Sequence, residues 1–166
     1  SVSALVYING EENEDYRYEL GAFCGDMLRG GRVGNYFNGV DGLQYQFMIY
    51  GEAGDVMNFR LYDLQDETEL DYVSEYTITY AVDGTYGTPF NPIIIEFFAP
   101  SNMVFAGTQN ENWSNVANWT VGGETAERLP MSFDDVTIAA PCTLDMAAEV
   151  ASVTVNTGAS LTVDDD

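Results

Sequence analysis

The chain has 166 residues and a formal net charge of -22, because 27 acidic residues stand against five arginines and no lysine. Phosphate binding needs clustered basic side chains, so this charge argues against nucleic acids and anionic lipid headgroups as partners. The sequence also lacks histidine, which excludes Ser-His and Cys-His catalysis, His-ligated zinc and the commonest general base.

The first half of the chain consists of short runs of alternating apolar and polar residues, separated by turn residues. None of these runs carries the apolar stripe that is typical of an amphipathic helix. Strands are predicted at residues 1–8, 18–25, 29–33, 43–49, 57–61, 76–80 and 93–98. Short strands at these intervals predict an all-β fold, and specifically an antiparallel β-sandwich.

Residues 42–63 contain the clearest pattern, two alternating runs joined by a turn rich in Gly, Glu and Asp, and they predict a β-hairpin. Successive side chains of a strand point to opposite faces, so we expect one face of each run to be buried and the other solvated. The predicted buried residues are Leu43, Tyr45, Phe47, Ile49, Met57, Phe59 and Leu61, and the predicted solvated residues are Gln44, Gln46, Asn58 and Arg60.

The composition changes at residues 99–102, beyond which tyrosine disappears and Ala, Thr, Val and Asn become frequent. We therefore predict two domains, residues 1–98 and residues 99–166. Four short strand-like segments follow in the second domain, and their close spacing predicts the rungs of a short β-solenoid. These segments are residues 135–138, 143–146, 151–155 and 160–163.

The last two predicted rung segments have a consequence for assembly. A rung ordinarily covers its neighbour, so the strands near Val153, Val155, Leu161 and Val163 are expected to expose an open edge and part of a core. Such an edge either folds back against the first domain or meets another copy of the chain. Self-association through this edge is therefore expected as one of two outcomes.

An acidic loop follows the second run of the predicted hairpin. Asp63, Asp66 and Glu67 offer the hard oxygen ligands that calcium prefers, although the loop lacks the fixed spacing of an EF-hand. Two interpretations stay open, a calcium site at these three residues or an ordinary solvated loop. No other cofactor is predicted.

Trp113 and Trp119 are the two tryptophans of the chain, and each follows an asparagine. An exposed tryptophan ring complements the apolar faces of sugars, so the pair could form a stacking platform for a glycan. The other interpretation is that the two rings cap the core of the second domain. The sequence leaves both open.

Cys24 and Cys142 lie in different halves of the chain. Two interpretations stay open, two buried thiols or a disulfide bridge between the halves. The strongest apolar run, residues 92–99, is interrupted by Glu96 and has the length of a strand, so no membrane span is predicted. The chain starts at Ser1 without a basic segment, from which we expect that a signal peptide has already been removed.

Two resemblances attach to these motifs. Residues 21–30, 45–63 and 87–92 resemble the immunoglobulin-like β-sandwich modules of large secreted and surface proteins of Bacteroidetes. Residues 113–119, 133–138 and 157–163 resemble the N-terminal start of adhesin-type parallel β-helix proteins, in which the tryptophan-containing segment caps the solenoid. This resemblance implies a protein that is extracellular or on the outer cell surface.

The function expected from these resemblances is a non-catalytic structural or adhesive module of a larger protein. Its partners would be other domains of that protein, or glycans or proteins of a host or bacterial surface. A glycan-binding module, with or without the assistance of calcium, is the alternative. A glycosidase needs only two suitably spaced carboxylates, but no run of residues assembles a recognisable active site, so we do not expect an enzyme.

Overall fold

The computed structural model describes residues 1–164, which form β-strands, turns and one short 3₁₀ helix at Val116–Asn118, with no α-helix in that range. The predicted all-β class is confirmed. The chain divides into two compact units, the first spanning Ser1–Ala99 and the second beginning at Pro100. We describe each unit by itself.

Unit 1 contains two sheets. Its strands are β1 (Val2–Ile8), β2 (Glu11–Glu12), β3 (Tyr18–Cys24), β4 (Met27–Val33), β5 (Gln44–Phe47), β6 (Val56–Asp63), β7 (Thr68–Glu69), β8 (Thr77–Thr79) and β9 (Ile93–Phe97). In the first sheet, β1 pairs antiparallel with β5 and β2 along one side and parallel with β9 along the other. In the second sheet, β4, β3 and β6 are antiparallel neighbours, and β7 and β8 pair with β6.

The core of unit 1 combines residues from both sheets in one buried cluster. The inward positions alternate along each strand, as the pleat requires. Examples are Val2, Ala4 and Val6 on β1, and Met57, Phe59 and Leu61 on β6. All seven residues of the 42–63 segment that were predicted to be buried are buried.

The predicted hairpin at residues 42–63 is wrong. Its first run pairs with β1, and its second run pairs with β3, so the two strands belong to different sheets. Alternation determines which face of a strand is buried, but it carries no information about which strand lies beside it. The segment that joins the runs therefore passes from one sheet to the other.

Gln44 also differs from its expected solvated position, since only 1% of its surface is exposed. Its side-chain amide donates a hydrogen bond to the carbonyl of Pro89 at 2.8 Å and accepts one from the amide of Gln46 at 2.9 Å. A buried amide is tolerated when its donors and acceptors are paired. The polar group of Gln44 therefore helps to hold the loop around Pro89 against β5.

Unit 2 is built around strands that run in parallel register. Its strands are β10 (Asn102–Phe105), β11 (Trp119–Val121), β12 (Glu124–Thr125), β13 (Asp135–Ile138), β14 (Cys142–Leu144), β15 (Ser152–Val155) and β16 (Leu161–Val163). Strands β10, β13 and β15 are parallel neighbours, and so are β14 and β16. Strands β11 and β12 add an antiparallel hairpin beside β10. The four strand-like segments predicted in this half correspond to β13–β16.

Candidate functional site

The terminal strands of unit 2 carry apolar side chains that are only half covered. We call Val153, Val155, Leu161 and Val163 the terminal-strand face. Val153 and Val155 are 46% and 47% exposed, and Val163 is 62% exposed. Three of the four residues expected to be uncovered are therefore exposed, whereas Leu161 is partly buried against the core of unit 2.

The parallel register explains why these residues are apolar. Met103, Val136 and Val153 are aligned across β10, β13 and β15. The first two are buried, whereas Val153 is not. In the part of the chain that the structure describes, β15 pairs on one side only. The position that points into the core on β10 and β13 therefore recurs on β15, which has no further strand beside it among the described residues.

A second set of aligned positions shows the same increase in exposure at β15. Phe105 and Ile138 are fully buried, and Val155 is aligned with them on β15. On the other parallel pair, Leu144 is aligned with the exposed Val163. Val153, Val155 and Val163 thus place apolar side chains at the surface in alignment with core positions of the preceding strands. Thr154 and Thr162 lie between these positions in the chain, so their side chains point to the opposite face of each strand.

The two tryptophans lie inside unit 2. Trp113 is 2% exposed and Trp119 is fully buried. Their rings meet edge to face at 4.6 Å, and Trp119 makes a second such contact with Phe105 at 5.1 Å. The indole Nε1 of Trp119 donates a hydrogen bond to the carbonyl of Trp113 at 2.9 Å. Neither ring has an open face for a sugar, so the structure favours the core interpretation over the stacking platform.

Asn118 is a structural residue that the sequence analysis did not single out. Its side-chain oxygen accepts hydrogen bonds from the backbone amides of Gln109 and Asn110, at 2.9 and 3.2 Å. Its amide nitrogen donates to Asn110 Oδ1 at 2.7 Å and to the carbonyl of Asn112 at 2.9 Å. One fully buried side chain thereby provides hydrogen-bond partners for three residues of the loop next to the tryptophans. The repeated Asn-Trp pair was the only signal that could have indicated this role.

The proposed calcium ligands are organised by an arginine. Asp63 is buried, and its carboxylate accepts a hydrogen bond from Arg17 Nε at 2.6 Å. The same arginine reaches Asp66 at 2.6 Å. The other oxygen of Asp63 accepts the backbone amides of Gln65 and Asp66, at 2.9 and 3.2 Å. The hydrogen bond from Arg17 is the main reason why the pKa of Asp63 lies below its usual range.

This arrangement favours the solvated-loop interpretation, and the calcium site stays a prediction. Arg17 supplies the positive charge between Asp63 and Asp66, and Glu67 is an exposed turn residue with φ of 52°. Within residues 1–164 no group of three acidic, Cys or His side chains is arranged to hold a metal ion. The sequence analysis missed Arg17 because it lies far from the acidic loop in the chain.

A second ion pair stabilises unit 2. Asp134 is fully buried and forms a two-pronged pair with Arg128, in which Nη2 donates to Oδ1 at 2.9 Å and Nη1 donates to Oδ2. The backbone amides of Ser101 and Met131 also donate to this carboxylate, each at 2.8 Å. Burial opposes the ionised form, but these hydrogen bonds prevail and lower the pKa of Asp134.

Both cysteines are free thiols. Cys142 is buried in the core of unit 2, and burial raises its pKa to about 11. The thiolate is the nucleophilic form of cysteine, so Cys142 is unreactive at neutral pH. Of the two buried thiols expected, Cys142 is buried, whereas Cys24 is only partly buried.

No helix among the described residues has the length and apolarity that crossing a membrane requires. When the chain is compared with known proteins, no family model, no curated protein and no solved structure matches it.

Proposed function

We propose that this chain is a non-catalytic structural module of a larger extracellular or cell-surface protein. In this proposal unit 1 is an immunoglobulin-like β-sandwich, and unit 2 is the start of a β-solenoid. The terminal-strand face carries the proposal, because it presents aligned core positions on a strand that has room for another parallel neighbour. A module of this kind would hold and orient the part of the protein that continues the solenoid.

The energetics support this role for the terminal-strand face. Covering the remaining half of a valine side chain contributes about 1 kcal/mol by its apolar area. Val153, Val155 and Val163 together therefore offer a few kcal/mol to any strand that continues the stack. Backbone hydrogen bonds along the free side of β15 would add specificity for a parallel strand.

The remainder of the chain supports a structural role rather than a catalytic one. The buried carboxylates of Asp63 and Asp134 are each held by an arginine and by backbone amides. The buried thiol of Cys142 is kept protonated. These groups stabilise loops, and none of them pairs a nucleophile with a base. The proposal accordingly includes no cofactor.

The proposal is tested by the association of the chain with itself, since a second copy can occupy the same face. Sedimentation velocity over a wide concentration range should show reversible association, and replacing Val153 and Val155 by Thr should suppress it. Threonine keeps the β-branched shape of a strand residue but replaces one methyl group of valine by a hydroxyl group. The matched control is Val56→Thr on β6, because Val56 is 49% exposed and lies in unit 1.

Hydrogen exchange provides the second readout. Association should slow the exchange of backbone amides in β15 and β16, and the double valine variant should abolish this protection. A chain that stays monomeric, with residues 100–164 cleaved rapidly by protease, would contradict the proposal. So would association that the double variant and the control alter equally.

A further inference from the structure

The outer face of the second sheet of unit 1 contains a depression. Leu20, Ala22, Phe59 and Leu61 point into the core, so the alternate residues of β3 and β6 lie on the opposite face. Gly21 lies among these outward positions and has no side chain to fill its place. The result is a cavity of about 210 Å³, which we call the outer groove.

The floor of the outer groove is apolar. Phe23, Leu28 and Tyr62 line it, and Leu28 and Tyr62 are 57% and 38% exposed. The guanidinium of Arg60 lies 4.4 Å from the centre of the Phe23 ring. Arg60 also donates to the carbonyl of Gly25 at 3.0 Å and pairs with Asp26 at 3.2 Å. These contacts position the guanidinium of Arg60 against the Phe23 ring, so that the two groups line the groove together.

The edge of the outer groove is polar and contains both charges. Glu69 lies 3.6 Å from Arg60, and Glu19 lines the groove from β3. Glu19 also lines a second, open depression beside the first, together with Tyr16 and Arg32. In the region that the structure describes, Glu19 and Arg32 form no ion pair with other side chains. Their charged groups are therefore available to a ligand.

The two depressions adjoin at Glu19, which lines both of them. Tyr16 is 51% exposed in the second depression and its ring meets that of Tyr36 edge to face at 5.6 Å. Each of the two adjoining depressions thus has at least one aromatic side chain, and their lining also contains carboxylates and guanidinium groups. Two adjoining depressions suit a chain of several rings better than a single small molecule.

We propose that the outer groove binds a neutral saccharide chain. A pyranose ring has apolar C–H faces that pack on aromatic and aliphatic side chains, and hydroxyl groups that both donate and accept hydrogen bonds. In the outer groove ionised Glu19 and Glu69 only accept hydrogen bonds and Arg60 only donates them, and Arg32 adds a second donor in the depression beside it, so both complements of a hydroxyl group are present.

The charge of the molecule selects among saccharides. A net charge of -22 repels polymers of uronic acids or sialic acids. Cationic peptides are attracted by the same net charge, but the lining of the two depressions is locally balanced, because the carboxylates of Glu19 and Glu69 are matched by the guanidinium groups of Arg60 in the outer groove and Arg32 in the second depression. A neutral saccharide chain is therefore the ligand that best fits a groove with both positive and negative side chains.

The test is a binding titration of the full chain with defined probes. The neutral probes are cello-, xylo-, manno- and malto-oligosaccharides, the acidic probe is an oligogalacturonate, and the cationic probe is an oligolysine peptide. We expect saturable binding of at least one neutral probe by calorimetry, with shifts of groove resonances by NMR. The acidic probe should not bind.

Three substitutions locate the site. Glu19→Gln and Tyr62→Ala should each weaken the binding of the neutral probe by about tenfold or more. Gly21→Ala fills the floor, because a Cβ there would lie 2.7 Å from Phe23 Cε2 and 3.1 Å from Leu28 Cδ1, which are the ends of side chains that can move. Tyr50→Ala is the matched control, since Tyr50 is 66% exposed and does not line the groove.

The outcomes separate the alternatives. Binding that falls in the three groove variants, and is unchanged in the Tyr50 control, supports the proposal, provided that circular dichroism shows an intact fold. The proposal is overturned if no neutral probe binds, if only the oligolysine peptide binds, or if the groove variants bind as the unmodified chain does.

Discussion

Trp119→Ala is the substitution that most directly tests the role of the tryptophans. The indole is fully buried, touches Phe105 and Trp113, and donates a hydrogen bond to the carbonyl of Trp113. Removing a buried tryptophan side chain costs about 3–5 kcal/mol. Trp119→Phe keeps an aromatic ring but leaves the carbonyl without its donor, which costs about 1–3 kcal/mol.

The chain provides its own probe for this measurement. Both tryptophans lie in unit 2, and all eleven tyrosines lie before Pro100. Tryptophan fluorescence therefore follows the unfolding of unit 2, and Trp113 remains as the reporter in both variants. Urea titrations should place the stability of unit 2 in the order unmodified chain, Trp119→Phe, Trp119→Ala.

The control comes from the same segment. Val116 is 37% exposed, and Val116→Ala should change the stability of unit 2 by less than about 1 kcal/mol. If Trp119→Ala also changed it by less than about 1 kcal/mol, the assignment of Trp119 to the core would be refuted. Saturable binding of a sugar that disappears in a folded Trp119→Ala variant would refute it as well.

Three further predictions concern pH, a glycine and the core of unit 1. The lowered pKa values of Asp63 and Asp134 stabilise the fold fully above the ordinary carboxylate pKa of 3.8, and this stabilisation is lost as the pH falls toward the lower pKa of the folded state. Urea midpoints measured at decreasing pH should therefore fall most steeply below pH 3.8. Gly87→Ala should destabilise unit 1 far more than Gly10→Ala in thermal unfolding, because both glycines have positive φ but only at Gly87 would a Cβ meet a backbone atom, the carbonyl oxygen of Ser3 at 2.3 Å. Phe59→Ala should cost about 3–5 kcal/mol in unit 1, and a cost below about 1 kcal/mol would contradict its burial.

The sequence predicted the local features of this fold better than its long-range ones. Alternation identified the buried face that contains Tyr45 and Phe59, because a period of two is a property of each strand alone. It did not identify the partner of either strand, since Tyr45 pairs with Ala4 and Phe59 pairs with Ala22. Strand pairing depends on segments that are distant in the chain.

The candidate sites show the same division. The acidic loop suggested calcium because Asp63 and Asp66 lie three residues apart in the sequence, whereas their partner Arg17 is remote. For Trp113, residue type alone permitted either a surface or a core position, and burial decided between them. The outer groove could not be predicted, because Gly21 creates it only when β3 lies between β4 and β6.

The pairing of β1 with β9 has a consequence for the order of folding. The first strand of unit 1 lies next to its last strand, with Ala4 opposite Ile93. Contacts between segments so far apart slow folding, and a growing chain cannot form them until its final strand has left the ribosome. In unit 2, by contrast, each of β13 and β15 pairs with a parallel strand that precedes it in the chain. Unit 1 must therefore wait for its last residues before its core closes, whereas unit 2 can extend its parallel sheet as synthesis proceeds.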